Sequence, residues 1–145
     1  MKRFSFSLQK VLNLRKYREE ETKIALGQAI GALTAIENNI KETAVRRHHA
    51  ATERFSDSGQ MIAWNHYIVR LDQTAEKLAE DAARAELVVE EKRTQYLEAS
   101  RELKAIEKLK EKREKEYRKE MFDYQTAEMD NLTAARISYH SASEL

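Results

Sequence analysis

The residues best suited to hold a metal ion or to move a proton are the four histidines, His48, His49, His66 and His140. No two of them stand four residues apart, and neighbouring residues of a helix point about 100° apart, so they do not converge on one ion. The chain has no cysteine, no glycine-rich phosphate loop and no Ser, His and Asp constellation with a scaffold to hold it. We therefore predict a protein that is not an enzyme and that uses no metal or cofactor.

The composition is typical of long helices rather than of a large globular core. Of the 145 residues, 35% are charged, none is proline and only three are glycine, and the mean hydropathy is −0.76. Alanine, glutamate, lysine, leucine and arginine dominate, as they do in coiled coils. No apolar run reaches the roughly 20 residues of a membrane span, and the start of the chain lacks the apolar stretch of a signal peptide. We expect a soluble, cytoplasmic protein without a transmembrane segment.

Apolar residues recur at alternating spacings of three and four through almost the whole chain, which is the a/d pattern of a coiled-coil seam. The pattern predicts an all-α fold, a long antiparallel hairpin of two helices in a coiled coil, with the second helix overhanging the first. The seam residues are Leu12, Leu26, Leu33, Ile36 and Ile40 on the first helix, and Ile68, Leu71, Leu78, Val89, Leu103 and Ile106 on the second.

The pairing register follows from the same pattern. In an antiparallel pair, facing residues have position numbers with a constant sum, and a sum of about 118 brings every seam position of one helix opposite a seam position of the other. Leu33 then faces Ala85, and Ala50 faces Ile68. The midpoint of this register is Gly59, which we therefore expect at the turn.

Turn residues and caps predict where the two helices begin and end. We expect the first helix over about residues 5–55, capped by Ser5 or Ser7, and the turn over 56–60. The second helix should cover about 61–137, followed by a frayed tail at 138–145.

The second helix keeps an apolar stripe where the first has no residues left to pair with it. Pairing should end at about Leu8 and Lys110, yet the stripe continues within residues 111–137, through Arg113, Tyr117, Glu120, Tyr124, Ala127, Asn131 and Ala134. A stripe without an internal partner implies an external one, or disorder until a partner binds.

Positive charge is concentrated where both helices reach the open end of the hairpin. Residues 1–18 carry six basic residues and no acid, and residues 104–119 carry eight basic residues and four acids. Such a concentration favours docking on an acidic surface or in an acidic pore. Nucleic acid is the rival partner, but the interleaved arginines and aromatic residues of a recognition surface are weakly represented, so we predict no nucleic-acid partner.

Two segments resemble the FliJ proteins of the bacterial flagellar export apparatus. The opening, Phe4-Ser-Phe-Ser-Leu8-Gln-Lys-Val-Leu12-x-Leu-Arg15, is similar to the N-terminus of that family. Gly59 followed by Trp64-Asn-x-Tyr67-Ile68-x-x-Leu71 resembles the segment after its turn. Length, the two-helix layout and the charged C-terminal arm match as well, so the likeness covers nearly the whole chain.

The resemblance implies the stalk of a type III protein export ATPase. The end bearing the termini would enter the hexameric flagellar export ATPase and promote its assembly, and other surfaces would contact the export-gate cytoplasmic domain and export chaperones. The protein would be cytoplasmic and peripherally associated with the membrane-embedded apparatus. We assign ATPase binding to the basic open end, Lys10, Arg15, Lys16, Arg18, Lys108, Lys112 and Arg113. The gate contact maps to Tyr67, Leu71, Thr74 and Leu78.

Other functions remain open at this point. The chain could be a generic coiled-coil adaptor or tether that dimerises through residues 111–137. It could also be the stalk of a virulence-type secretion system, or a basic helical protein that binds nucleic acid. Binding to any DNA or RNA with a steep dependence on salt would identify the last of these.

Overall fold

Two long helices account for nearly all of the chain in a computed structural model, which describes residues 2–144. Met1 and Leu145 lie outside the described residues. Helix α1 covers Gln9–Ala51, which is 43 residues, and helix α2 covers Ser58–Ser143, which is 86 residues. The two helices contact each other extensively, so the predicted all-α helical hairpin is confirmed.

The chain divides into two units. Unit 2, residues 17–100, contains most of α1, the connection between the helices and the first half of α2. Its apolar cluster near the connection comprises Ala50, Ile68 and Leu71, with Trp64 packed against it. The buried residues follow the predicted a/d spacing because only that stripe of each helix can face the other.

Unit 1 contains residues 2–16 together with residues 101–144. Within it Leu12 is only 1% exposed, and Arg15 of α1 forms an ion pair with Glu102 of α2. Ahead of α1, residues 2–6 are not helical. Here α1 contributes residues 9–16, which is about two turns, to the pairing with α2, and a non-helical segment precedes α1.

Helix α1 starts later than expected, at Gln9 rather than near Ser5. The amide of Gln9 donates to the carbonyl of Phe6 at 3.0 Å in a single turn, and the amide of Leu12 donates to the carbonyl of Leu8 at 2.9 Å. The residues before this turn instead contact α2, as described below.

Helix α1 also ends earlier, at Ala51 rather than near Phe55. The hydroxyl of Thr52 donates to the carbonyl of His49 at 2.9 Å, and the indole N–H of Trp64 donates to the carbonyl of Ala50. These bonds satisfy carbonyls that the end of a helix leaves without an intrahelical partner.

The expectation that Gly59 forms the turn is wrong. The chain turns through residues 52–57, and Gly59 lies in the first turn of α2. Asp57 caps that helix, since its Oδ1 accepts from the amide of Gln60 at 2.7 Å, and the Gln60 side chain accepts from the amide of Ser56 at 3.1 Å. Together these bonds form a variant of the capping box, which starts the helix at Ser58.

At the other end of α2, the helix continues through most of the tail that was expected to fray. It ends at Ser143 rather than near Ile137. The Ser143 hydroxyl donates to the carbonyl of His140 at 2.9 Å, and the amide of Glu144 donates to the same carbonyl at 3.2 Å. These bonds close the last turn of the helix.

Candidate docking surfaces

The N-terminal strap, which we define as residues 2–8, lies against α2 within unit 1. The phenolic hydroxyl of Tyr117 donates to the carbonyl of Lys2 at 2.7 Å. The rings of Phe4 and Tyr117 are 5.5 Å apart between centroids. The strap therefore covers a part of α2 that sequence periodicity left without a partner, and the uncovered part begins near residue 122 instead of at 111.

The covered face of α2 beside the strap keeps Tyr117 but differs by one residue from the predicted stripe at the two neighbouring positions. Glu114, Tyr117 and Met121 are half-buried, whereas Arg113 and Glu120 are exposed. An extended strap does not follow the 3-4 alternation that a second helix would require, so heptad counting misplaces the face here.

Arg15, assigned to ATPase binding from the sequence, is engaged within the hairpin. It pairs with Glu102 across the two helices, and both side chains are about one-third exposed, at 33% and 31%. A partly covered, charge-assisted pair of this kind orients the helices relative to each other. Arg15 therefore has a structural role in unit 1, through its ion pair with Glu102.

The other predicted basic residues are displayed on the surface. Five of these basic residues lie in unit 1, and both helices contribute to them. All five are exposed: Lys10, Lys16, Lys108, Lys112 and Arg113. We name these five residues the basic end. Arg18 is also exposed but belongs to unit 2.

Of the four residues predicted to contact the export gate, two are exposed and two are buried or half-buried. Tyr67 is 37% exposed and Leu71 only 7%, while Thr74 is exposed and Leu78 is half-buried. Leu71 packs with Ala50 and Ile68, so its side chain is not available to a partner. A contact in this region would use Tyr67 and Thr74, with Leu78 at its margin.

Beside the connection lies an apolar surface that sequence reasoning missed. Met61 is 56% exposed and Ile62 is 61% exposed, and both lie beside Trp64, whose ring centroid is 5.2 Å from that of Phe55. Met61 continues the a/d spacing three residues before Trp64, and Ile62 lies outside it. Two adjacent large apolar residues just after a capped helix start were the available signal.

Histidines and carboxylates do not assemble into a metal site anywhere in the part of the chain that the structure describes. The rings of His48 and His49 lie 6.3 Å apart between centroids. Similarly, within residues 2–144 neither helix is long and apolar enough to cross a membrane.

Comparison with protein-family models gives a match to the family described as flagellar FliJ protein, over residues 4–142. The chain belongs to the FliJ family. The match includes most of the strap and nearly all of α2, so the resemblance seen in two short segments extends through most of the chain. Family membership makes it a flagellar protein associated with export. Searches of curated proteins and of solved structures gave no significant match.

Proposed function

We propose that this FliJ-family chain is the central stalk of the flagellar type III export ATPase and binds the hexameric enzyme through its basic end. The proposal rests on one observation. In unit 1 both helices contribute exposed basic residues, and these lie beside the strap, which the hydrogen bond from Tyr117 holds against α2. In the same proposal the chain catalyses no reaction, needs no cofactor and acts in the cytoplasm beside the membrane-embedded export apparatus.

Electrostatics would provide much of this association. Lysines on exposed helix faces raise the local potential and speed encounter with an acidic surface. The interaction of such exposed charges is screened over about 8 Å at physiological ionic strength, so binding should weaken as salt is added. A nucleic-acid partner would show the same salt dependence, and the test below therefore measures a response of the ATPase itself.

The link to the export gate is proposed for a different surface of the chain. Tyr67 and Thr74 are exposed on α2 in unit 2, where a partly covered tyrosine offers an apolar ring together with a hydroxyl. Export chaperones are the third class of partner in this proposal. A generic tether or a virulence-type stalk is the alternative, and the identity of the stimulated ATPase distinguishes them.

The experiment reverses charge at the basic end without disturbing the Arg15–Glu102 pair. A variant with Lys10, Lys16 and Lys112 changed to glutamate should lose its stimulation of ATP hydrolysis by a flagellar export ATPase. The matched control changes Lys23, Lys41 and Lys77, which are exposed in unit 2, and alters net charge by the same amount.

Circular dichroism of both variants should show unchanged helicity. Equal stimulation by the wild type and the basic-end variant would overturn the proposal. Equal loss in both variants would assign the effect to net charge rather than to this end of the protein. Changing Tyr67 and Thr74 to alanine should leave stimulation intact and weaken binding to the export-gate cytoplasmic domain.

A further inference from the structure

Residues 122–143 are the end of α2 in unit 1, and we name them the C-terminal arm. Every residue of this arm is exposed. Four large apolar side chains, Phe122, Met129, Leu132 and Tyr139, are between 63% and 74% exposed. Scattered apolar residues are ordinary on a protein surface, but a continuous apolar strip marks an interface.

These four side chains share one stripe of the helix. With two polar residues they make an unbroken series at alternating spacings of three and four: Phe122, Gln125, Met129, Leu132, Arg136 and Tyr139. This is the a/d pattern of a two-stranded coiled coil. Tyr124 and Ile137, which are 52% and 62% exposed, lie outside this stripe, and Ala127 and Ala134 lie on the opposite face. The stripe is therefore the one a/d series of the arm that brings several large apolar side chains together.

We propose that the C-terminal arm pairs with the same arm of a second copy of this chain, in antiparallel orientation. In that register Phe122 faces Tyr139 of the second copy, and Met129 faces its Leu132. Gln125 faces Arg136. The stripe is therefore complementary to itself, because its pattern of apolar and polar residues reads the same from either end.

Arg136 determines the orientation of the pair. A parallel pair would bring two Arg136 side chains together in the seam, and like charges at facing positions are unfavourable. In the antiparallel pair the carbonyl oxygen of the Gln125 side chain accepts a hydrogen bond from the guanidinium group. Glu128, the only acid at positions flanking this seam, lies diagonally opposite the same Arg136 and adds an attractive charge.

The size of the seam implies a weak dimer. Aromatic side chains bury about 150–250 Å² each when fully covered, and the pair brings two phenylalanines and two tyrosines. With methionine and leucine, the area approaches the roughly 1,000 Å² that specific interfaces need. Self-association should therefore depend on concentration. This proposal concerns the chain alone and does not depend on ATPase binding.

Sedimentation equilibrium of the full chain over a range of concentrations tests the pairing. The wild type should show a reversible monomer–dimer equilibrium. Leu132→Asp places a charge in the seam and should weaken the dimer at least about tenfold, whereas Ala134→Asp, with the same added charge on the outer face, should leave it unchanged. A wild type that stays monomeric throughout overturns the proposal, as does equal weakening by both substitutions.

Cysteine cross-linking tests the orientation, and the natural chain contributes no cysteine of its own. A mixture of Met129→Cys and Leu132→Cys chains should form disulfide-linked dimers of one chain of each kind. The control mixture, Ala127→Cys with Ala134→Cys, lies at the same height on the outer face and should cross-link poorly. Preferential bridging of Leu132→Cys chains to each other would indicate a parallel pair and overturn the antiparallel register.

Discussion

Arg47 of α1 and Asp72 of α2 form an ion pair across the two helices of unit 2, with 2.9 Å between Nε and Oδ1. Their position numbers add to 119, and those of Ala50 and Ile68, which share the apolar cluster, add to 118. The two pairs give unit 2 one antiparallel register. Both charged side chains are well exposed, so the apolar contacts supply most of the stabilisation.

This register can be tested by cross-linking within one chain. Cysteines at Leu33 and Ala85, both half-buried seam positions, should form an intramolecular disulfide in the monomer under mild oxidation, because facing seam residues lie within disulfide reach. Electrophoresis without reductant would show a single, faster-moving chain. A double variant at Leu33 and Leu78, displaced by two turns of α2, should not close the same bridge.

The indole of Trp64 contributes to the stability of the hairpin beside its turn. Trp64→Phe retains an aromatic ring near Phe55 but removes the hydrogen bond to the carbonyl of Ala50. We expect a loss of about 1 kcal/mol in the free energy of unfolding, which is typical for one hydrogen bond. Urea denaturation followed by circular dichroism measures it. An unchanged midpoint would mean that water replaces the indole at this carbonyl without loss.

The three glycines should respond differently to alanine. A Cβ added at Gly27 or Gly31 meets nothing within 4 Å, whereas at Gly59 it comes within 3.3 Å of Oδ1 of Asp57. Gly27→Ala and Gly31→Ala should each stabilise the protein by about 0.5–1 kcal/mol, since glycine is the poorer helix former. Gly59→Ala crowds the capping carboxylate and should gain less. Thermal melts of the three variants provide the comparison.

Removing one hydroxyl should loosen the N-terminal strap. Tyr117→Phe keeps the ring that packs on Phe4 and loses the bond to the carbonyl of Lys2. Tryptic cleavage after Lys2 and Arg3 should become faster, while cleavage in the α1 segment of unit 2 stays unchanged. Tyr124→Phe, at an exposed position of the same helix, is the matched control and should alter neither. Equal protection of the strap in both variants would assign its anchoring to the aromatic contact alone.

Sequence periodicity predicted the paired part of the fold because a two-helix hairpin buries only one stripe on each helix. Leu12, Ile68 and Val89 are buried at predicted positions. Heptad periodicity did not predict the strap, because the contact between Phe4 and Tyr117 joins residues far apart in sequence and follows no heptad spacing. The start of α2 is encoded locally, because Asp57 and Gln60 stand at capping-box spacing, whereas the midpoint of the register points to Gly59.

The candidate site was predictable to a similar extent. Charge is visible in a sequence, so the basic residues could be named, and Lys10 and Lys112 are indeed on the surface. The ion pair that engages Arg15 depends on how α1 lies beside Glu102, which the residue types alone do not reveal. The seam position of Leu71 implies that its side chain is buried, and a buried side chain does not form part of a docking surface.

The connection through residues 52–57 has a consequence for the order of folding. Trp64 and Ala50 close a loop of 14 residues, Arg47 and Asp72 one of 25, and Lys2 and Tyr117 one of 115. Because the entropy lost on closing a loop grows with its length, contacts near the connection should form first and the strap last. Pairing of the two helices would then begin beside the connection, and the strap would bind last. The N-terminal end of the hairpin would be the first part to open in the folded protein and to sample other conformations.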